Sequence, residues 1–489
     1  MPMSERLRPR DLAFLAEETP STPRHNATVE IFEPGESGFA FDRLLALVED
    51  RLSFVPRYRQ RVQWVPGGLA NPVWVDDPHF DLAYHVRRSA LPRPGTLDQL
   101  RELVSRIVNR PLDRHRPLWE MYVVEGLAEG RVALLHKTHQ ALVDGVETVD
   151  LGQVLLDSSP EPRLDPDDDT WRPRGRPSAL GLVGGAVRDN LTDPETAFGT
   201  LTSATSSLLR TAEGMARGSR RVVSGLAGRR PERGTPISGE LSQHRRVVAV
   251  RTPFESYKTI QQAHGGSIND AILATVAGGL RAWLMTRSES LAGLRTVRAV
   301  VPVSVIDPEL EATSLGTQIA PHFVDLPIGE ASPVVRLHQV SYSFLAHKEG
   351  GRGVAASRLA SLAGFAPATF HAIGSRVAAA ELRRGFSIPI TNVPGPQTPL
   401  FAAGARMVGT YPVPPLLPGQ ALAIGVTSYD GWVMYGITAD RDLVPDADVL
   451  GQCIDEALVE LLDTATGARP KVPRGRKKPA GPARKPSRS

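Results

Sequence analysis

The chain has 489 residues, 41% of them hydrophobic and 22% charged, with a formal net charge of +4. That length exceeds one ordinary core, so two large domains of a soluble globular protein are the default. The single cysteine, Cys453, excludes an intrachain disulfide and a cysteine-ligated zinc cluster, and it fits a reducing, cytoplasmic compartment.

The opening residues, MPMSERLRPRDLAFL, are charged and lack the apolar core of a secretory signal. No apolar run reaches the ~18 residues of a spanning helix. Nine of the 57 Lys and Arg fall in 469–489, which holds no acid, so the remainder carries 48 basic against 53 acidic side chains, a charge of −5. That tail is rich in Pro, Gly and Lys/Arg with almost nothing to bury. It reads as disordered and solvated, with a tether to anionic lipid or nucleic acid as the alternative.

In chain order, 9–18 carries Leu12, Phe14 and Leu15 as a short helix, and 27–32 alternates as a strand. Residues 39–52 place Phe41, Leu44, Leu45, Val48 and Leu52 on one helical face. Arg57, Arg59 and Arg61 alternate, and in an extended segment they share one face, either phosphate-binding or that of a solvated edge strand. The spacing predicts a helix over 97–108, then a surface loop with Pro111 and Pro117, then a strand at 121–124.

Residues 131–150, RVALLHKTHQALVDGVETVD, form the focal stretch. An apolar strand leads into His139-Gln140-Ala141-Leu142-Val143-Asp144-Gly145, and a helical pattern follows over 146–156. A sheet holds strand-end side chains rigid, which suits chemistry, but a polar strand end closed by a DG turn fits the same residues.

Residues 157–177 are acidic and proline-rich and read as an exposed connection. Residues 179–228 are weakly helical, and seven arginines against two acids lie between positions 210 and 233. Such helices either pack across the domains or lie on a lipid surface. A second domain begins near 246 with a strand, followed by a helix over 267–284 whose Ser267 and Asp270 match a capping box. Strands follow at 296–304, 318–326 and 386–392. The runs 421–428 and 432–438 flank the hairpin signal Asp430-Gly431, and a helix over 450–462 closes the fold. Neither half shows regular βαβ alternation, and no Walker loop, GxGxxG or HExxH is present.

The blocks PRDLAFLAEETPSTPRH, FDLAYHVRRSALPRPG, RPLWEMYVVEGL, HQALVDG, SINDAILATVAGGLRAWL, VPVSV, FVDLP, TNVPGPQTPLFAAGARM, GQALAIGVTSYDG and YGITADRDLVPD follow one another along the chain. In that order they resemble the bacterial wax ester synthase/diacylglycerol acyltransferase family, itself distantly similar to chloramphenicol acetyltransferase and to peptide-synthetase condensation domains. The resemblance implies an α/β fold of two chloramphenicol-acetyltransferase-like mixed-sheet domains joined by a helical linker. The divisions are 1–160, a linker at 161–245, 246–466 and the tail at 467–489. It implies transfer of an acyl group from acyl-CoA, as substrate, to diacylglycerol or a long-chain alcohol, with no metal or redox cofactor. A peripheral place at a membrane or lipid droplet goes with those partners, and no nucleic acid is expected.

The family hallmark is HHxxxDG, whose second histidine is the general base that an alcohol nucleophile needs. His139 matches the first histidine, Asp144 the aspartate that shapes the loop, and Gly145 the turn glycine, but Gln140 stands where the base belongs. A carboxamide cannot carry a proton near neutral pH, and its loss typically costs ~10²–10⁴ in rate. His136 lies four residues back, roughly 13 Å along a strand. His139 points to the other face unless a bulge after Thr138 turns it inward. Asn269 and Asp270 match a second motif facing the same channel, although helix capping accounts for both. Asn392-Val393-Pro394-Gly395-Pro396 matches a further signature, read as a loop shaping the domain interface. A member that binds acyl-CoA or lipid without turnover, or a droplet-surface protein, is the alternative that Gln140 raises.

Because the tail has no apolar periodicity, a chain ending near Thr466 is expected to keep its melting temperature in thermal unfolding. A drop of several degrees would show instead that the tail docks on the body.

Overall fold

The computed structural model describes residues 5–35, 38–68, 70–142, 151–161, 171–175, 178, 181–182, 237–287, 295–306, 317–349, 367–380 and 387–467. The first half contains α1 (Pro9–Glu17), β1 (His25–Glu33), α2 (Phe41–Arg51), β2 (Gln60–Gln63) and β3 (Val73–Asp76). It continues with α3 (Leu82–His85), β4 (Val86–Ala90), α4 (Leu97–Val108), β5 (Trp119–Glu125), β6 (Val132–His139) and α5 (Leu151–Val154). The second half contains β7 (Arg245–Pro253), α6 (Phe254–His264), α7 (Ile268–Thr286), β8 (Val297–Ile306), β9 (Thr317–Leu326), α8 (Pro333–Glu349) and α9 (Pro367–Ala380). It ends with β10 (Ile388–Val393), β11 (Phe401–Ala402), β12 (Ala405–Val413), β13 (Leu422–Tyr429), β14 (Trp432–Asp440) and α10 (Ala447–Thr466).

Two six-stranded mixed sheets organise the molecule, in the orders β11-β12-β1-β6-β5-β4 and β7-β14-β13-β10-β8-β9. β6 is central in the first, antiparallel to β1 and to β5. Its apolar Val132, Ala133, Leu134 and Leu135 are all buried, as a strand covered on both faces requires. In the second half, α7 is buried on nearly every side, and a Cβ on its Gly279 would press into Ile454 of α10.

Local signals explain where several elements begin and end. α4 starts at a capping box: the Gln99 N–H donates to Thr96 Oγ1 at 3.2 Å and the Thr96 N–H to Gln99 Oε1 at 2.8 Å. α7 starts the same way, with Ser267 Oγ accepting from the Asp270 N–H at 3.1 Å and Asp270 Oδ2 from the Ser267 N–H at 2.8 Å. The β13–β14 hairpin turns through Asp430 (φ 44°) and Gly431 (φ 80°), the left-handed pair that a two-residue turn demands.

The alternating arginines at 57–61 do not share a face. Pro56 opens a 3₁₀ turn over Pro56–Arg59, and the three side chains diverge. Arg57 lies over Trp74 at 4.8 Å, Arg59 over Trp171 at 5.0 Å, and Arg61 lies 3.8 Å from Asp77. Helices α3, α6, α8 and α9 and strands β3, β4, β11 and β12 went unpredicted. Apart from residues 181–182, the expected helices over 179–228 lie outside the described residues, as do the arginine cluster at 210–233, the tail beyond 467, residues 146–150 and much of 157–177.

The two sheets are not independent. β12 comes from the second half yet pairs with β1 of the first, from Ala27↔Val413 to Glu33↔Arg406. Its Pro412 also presses on β13 and β14, where Gly425 and Gly436 face each other in register. A Cβ on Gly425 would meet Pro412 Cβ at 2.7 Å, and one on Gly436 would overlap the Pro412 carbonyl oxygen. Gly436→Ala is therefore expected to cost about 1–3 kcal/mol or more through overpacking, read by urea unfolding. A loss below about 0.5 kcal/mol, typical of an uninvolved surface position, would show that β12 yields freely.

Candidate active site

The end of β6 is the polar focus of the first sheet. The β1–β6 register runs unbroken to His25↔His139, so no bulge turns His139 inward. Its ring shares a face with Lys137 and His25, on the side where His25 Nε2 meets Val108 O at 2.9 Å and Lys137 Nζ donates to Ile107 O at 3.4 Å. His139 is 1% exposed. The Ala141 N–H donates to its Nδ1 at 3.0 Å, which places the ring proton on Nε2, 3.7 Å from Glu18 Oε1. Burial pushes the pKa of His139 down against the pull of Glu18, so the ring is neutral at neutral pH. One nitrogen thus accepts from the turn and the other faces a carboxylate.

Glu18 anchors this arrangement. Burial alone would raise its pKa, but His139, the Arg24 N–H at 3.0 Å and Arg114 Nη2 at 2.7 Å outweigh that and hold it well below the usual carboxylate range. Arg114 belongs to the loop between α4 and β5, so that loop crosses inward to clamp Glu18 rather than running over open surface.

Gln140 is fully buried. Its backbone is gripped from both halves: the N–H donates to Arg24 O at 2.8 Å, and the carbonyl accepts from Arg376 Nη1 of α9 at 2.9 Å. Arg376 also pairs with Asp11 of α1 and lies 5.1 Å over the Phe14 ring. The carboxamide itself has no hydrogen-bond partner on either atom among the described residues. A buried amide without partners costs about 1–3 kcal/mol. Asp144 and Gly145 lie outside the described residues.

The other predicted site residues sit elsewhere along the junction. His136 lies on the opposite face of β6 from His139, 3.2 Å from Glu30. Asp270 caps α7, while Asn269 Oδ1 accepts from Asn392 Nδ2 at 2.8 Å, joining α7 to β10. Asn392 is thus a strand residue, and its signature continues only then into a loop. No hydrogen bond or ion pair links Asn269 or Asp270 to His139 or Gln140 among the described residues. Next to Asn392, Thr391 Oγ1 lies 2.7 Å from His371 Nδ1 of α9, and burial pushes that histidine down to about 3. Asp11, Glu18 and Arg24 were legible only as parts of one quoted block. Arg376 was hidden in an alanine-rich run with no motif.

Among the described residues, no group of three or more His, Cys, Asp or Glu side chains could hold a metal ion. No helix among them is long and apolar enough to cross a membrane.

Two mixed sheets meeting at a buried strand end make a fold of the condensation-domain type. The first condensation domain of the calcium-dependent antibiotic synthetase matches it with a TM-score of 0.53 at 15% identity, over 95% of this chain and 96% of that one. The wax ester synthase/diacylglycerol acyltransferase from Marinobacter aquaeolei matches with a TM-score of 0.63 at 25% identity, over 94% and 100%. The family model for the wax ester synthase/diacylglycerol acyltransferase catalytic domain matches residues 7–272, and that for the C-terminal domain matches 315–462. A Mycobacterium tuberculosis protein described as the probable diacylglycerol O-acyltransferase tgs1 is 32% identical over 451 residues, 92% of each chain. Another, described as tgs3, is 40% identical over 263 residues, 53% of this chain and 96% of its own. The chain belongs to the wax ester synthase/diacylglycerol acyltransferase family.

The Glu18 clamp carries a pH dependence of known sign. A carboxylate whose folded pKa is depressed contributes stability that is present above its ordinary value of 4.5 and lost as pH falls from there. His139, lowered by burial from 6.5, adds a loss in the same direction as it is forced to protonate. Glu18→Gln is expected to cost about 1–3 kcal/mol at pH 7 and to flatten the fall in stability below pH 4.5, both read by urea titrations. An acid limb as steep as the native one would show that Glu18 is not its source.

Proposed function

We propose that this chain is an acyl-CoA-dependent O-acyltransferase that moves a fatty acyl group to diacylglycerol or a long-chain alcohol. Family membership over both halves supports it, and the observation that carries the site is Gln140, a buried carboxamide held where the halves meet. The acceptor hydroxyl oxygen attacks the thioester carbonyl carbon, the carbonyl electron pair moves onto oxygen, and its return expels the CoA thiolate. The hydroxyl proton ends on that thiolate, directly or through water. Gln140 Nε2–H donates to the developing oxyanion, and Oε1 accepts from the acceptor hydroxyl and orients it. His139 and Glu18 keep the turn in place; Asp144 and Gly145 shape the loop that follows; Asn269 and Asp270 hold the far wall of the channel.

The segments 1–160 and 246–466 act as one transferase unit, with 161–245 linking them and 467–489 a solvated tail. Because the acceptor is insoluble in water, a cytoplasmic protein meets it at a membrane or droplet surface.

The carboxamide at position 140 also favours a second reading, acyl-CoA or lipid binding without turnover, since glutamine takes no proton near neutral pH. CoA release from palmitoyl-CoA in the presence of dioleoylglycerol separates the two. The native protein is expected to release CoA, and Gln140→His to release it faster, by up to ~10²–10⁴. A native protein that is silent, and stays silent as a folded Gln140→His variant, sinks the transferase reading and leaves the binding one.

A further inference from the structure

A cleft of about 580 Å³ opens between α4 of the first half and β7 and α10 of the second. Five arginines line it: Arg101 and Arg106 from α4, Arg245 and Arg246 from β7, and Arg441 from the turn after β14. Three carboxylates share the walls, and two of them are engaged. Asp98 pairs with Arg101 on the same helix, and Asp448 takes Arg246 Nε at 2.6 Å. Arg245 is buried and committed inward, 3.3 Å from Asp440 and donating to Ser21 O. Arg106 and Arg441 are both exposed at the mouth. Arg106 has no ion pair within 4.0 Å among the described residues, and Arg441 has only its neighbour Asp442 at 3.8 Å. Glu102 remains as a single acid against them.

One residue of this cleft also borders the surroundings of the strand end. Arg245 also lines a small inner space with Pro23, His25, Val108, Pro414 and Pro415. His25 is the register partner of His139, and the carbonyl of Arg24, between Pro23 and His25, holds the Gln140 N–H. The cationic cleft and this small space therefore share Arg245, and the small space borders His25, beside the strand end. It holds only about 20 Å³, so an arm that reaches from the cleft toward the strand end has to part it.

An arginine-lined cleft one residue removed from the surroundings of the strand end suits a polyanionic nucleotide head whose slim arm carries a thioester toward the site. We propose that the cleft seats the phosphorylated nucleotide of the acyl donor, with Arg106 and Arg441 as the phosphate-binding arms and Arg101 and Arg246 as supporting charge. The assignment rests on the acyl-transfer reading above and adds to it the face from which the donor enters. The outer volume falls within the 300–1,000 Å³ range, roughly, of small-molecule sites. Guanidinium groups that alternate between carboxylate and phosphate suit a head that must leave after each turnover.

Calorimetric titration of the full-length protein with CoA, dephospho-CoA and adenosine 3′,5′-bisphosphate tests this, alongside the double variant Arg106→Ala/Arg441→Ala. Both residues are exposed, so the variant's melting temperature is expected to match the native one. Loss of both arms should weaken CoA and adenosine 3′,5′-bisphosphate binding by about tenfold or more, with inorganic phosphate a poor competitor. KM for palmitoyl-CoA should rise by the same factor at constant kcat, while turnover of S-palmitoyl-pantetheine, which lacks the nucleotide, is unchanged. CoA affinity within twofold of native in the folded double variant overturns the cleft assignment and leaves the acyl-transfer reading standing. A native protein that neither binds CoA nor turns it over overturns both.

Discussion

A bare patch on one sheet lets the two halves become one body. Gly425 and Gly436 sit opposite each other on β13 and β14, and only hydrogen occupies the space into which Pro412 settles. Side chains in cores pack at crystal-like density, so a single methyl group there displaces backbone rather than filling a gap. β12 can then pair with β1 while lying against the second sheet, and Tyr429 completes the join by donating to Met407 O at 3.0 Å. The site depends on that contact, because its walls come from opposite sides of it.

The end of β6 shows what the union achieves. Gln140 has no polar anchor of its own making; Arg24 and Arg376 fix its backbone from different halves. The histidine beside it is kept neutral by burial, with Nδ1 accepting from the turn and Nε2 facing Glu18 at 3.7 Å. The carboxamide beside it has no hydrogen-bond partner among the described residues. Where the family hallmark has a second histidine, this chain keeps the strand end and carries a buried carboxamide.

Charge is distributed in keeping with that arrangement. Excess base is concentrated in the tail and in local clusters, while the remainder of the chain is mildly acidic. In the cleft between α4 and β7, most arginines are matched by carboxylates, which keeps the empty cleft from repelling itself. The same guanidinium groups stay near enough to an entering anion to exchange partners.

Local chemistry made much of this visible in one dimension. The helix over 97–108 emerged at its observed bounds because Leu100 and Ile107 recur at helical spacing. Ser267 with Asp270 and Asp430-Gly431 marked their cap and turn because each satisfies backbone demands within a few residues. The polar strand end at His139 and the substitution at Gln140 were equally plain, since motif and strand lie in one continuous stretch. What tertiary structure alone decided was partnership. Arg57, Arg59 and Arg61 diverge because Pro56 starts a turn and three separate neighbours claim them. Arg376 reaches Gln140 across 236 positions of chain, and Arg245 reaches Ser21 across 224. β12 can lie between the sheets because Gly425 and Gly436, on the two strands that follow it, leave Pro412 room. Periodicity reports which face of an element is buried; it carries no information about which distant side chain will meet that face, and the site is built from those meetings.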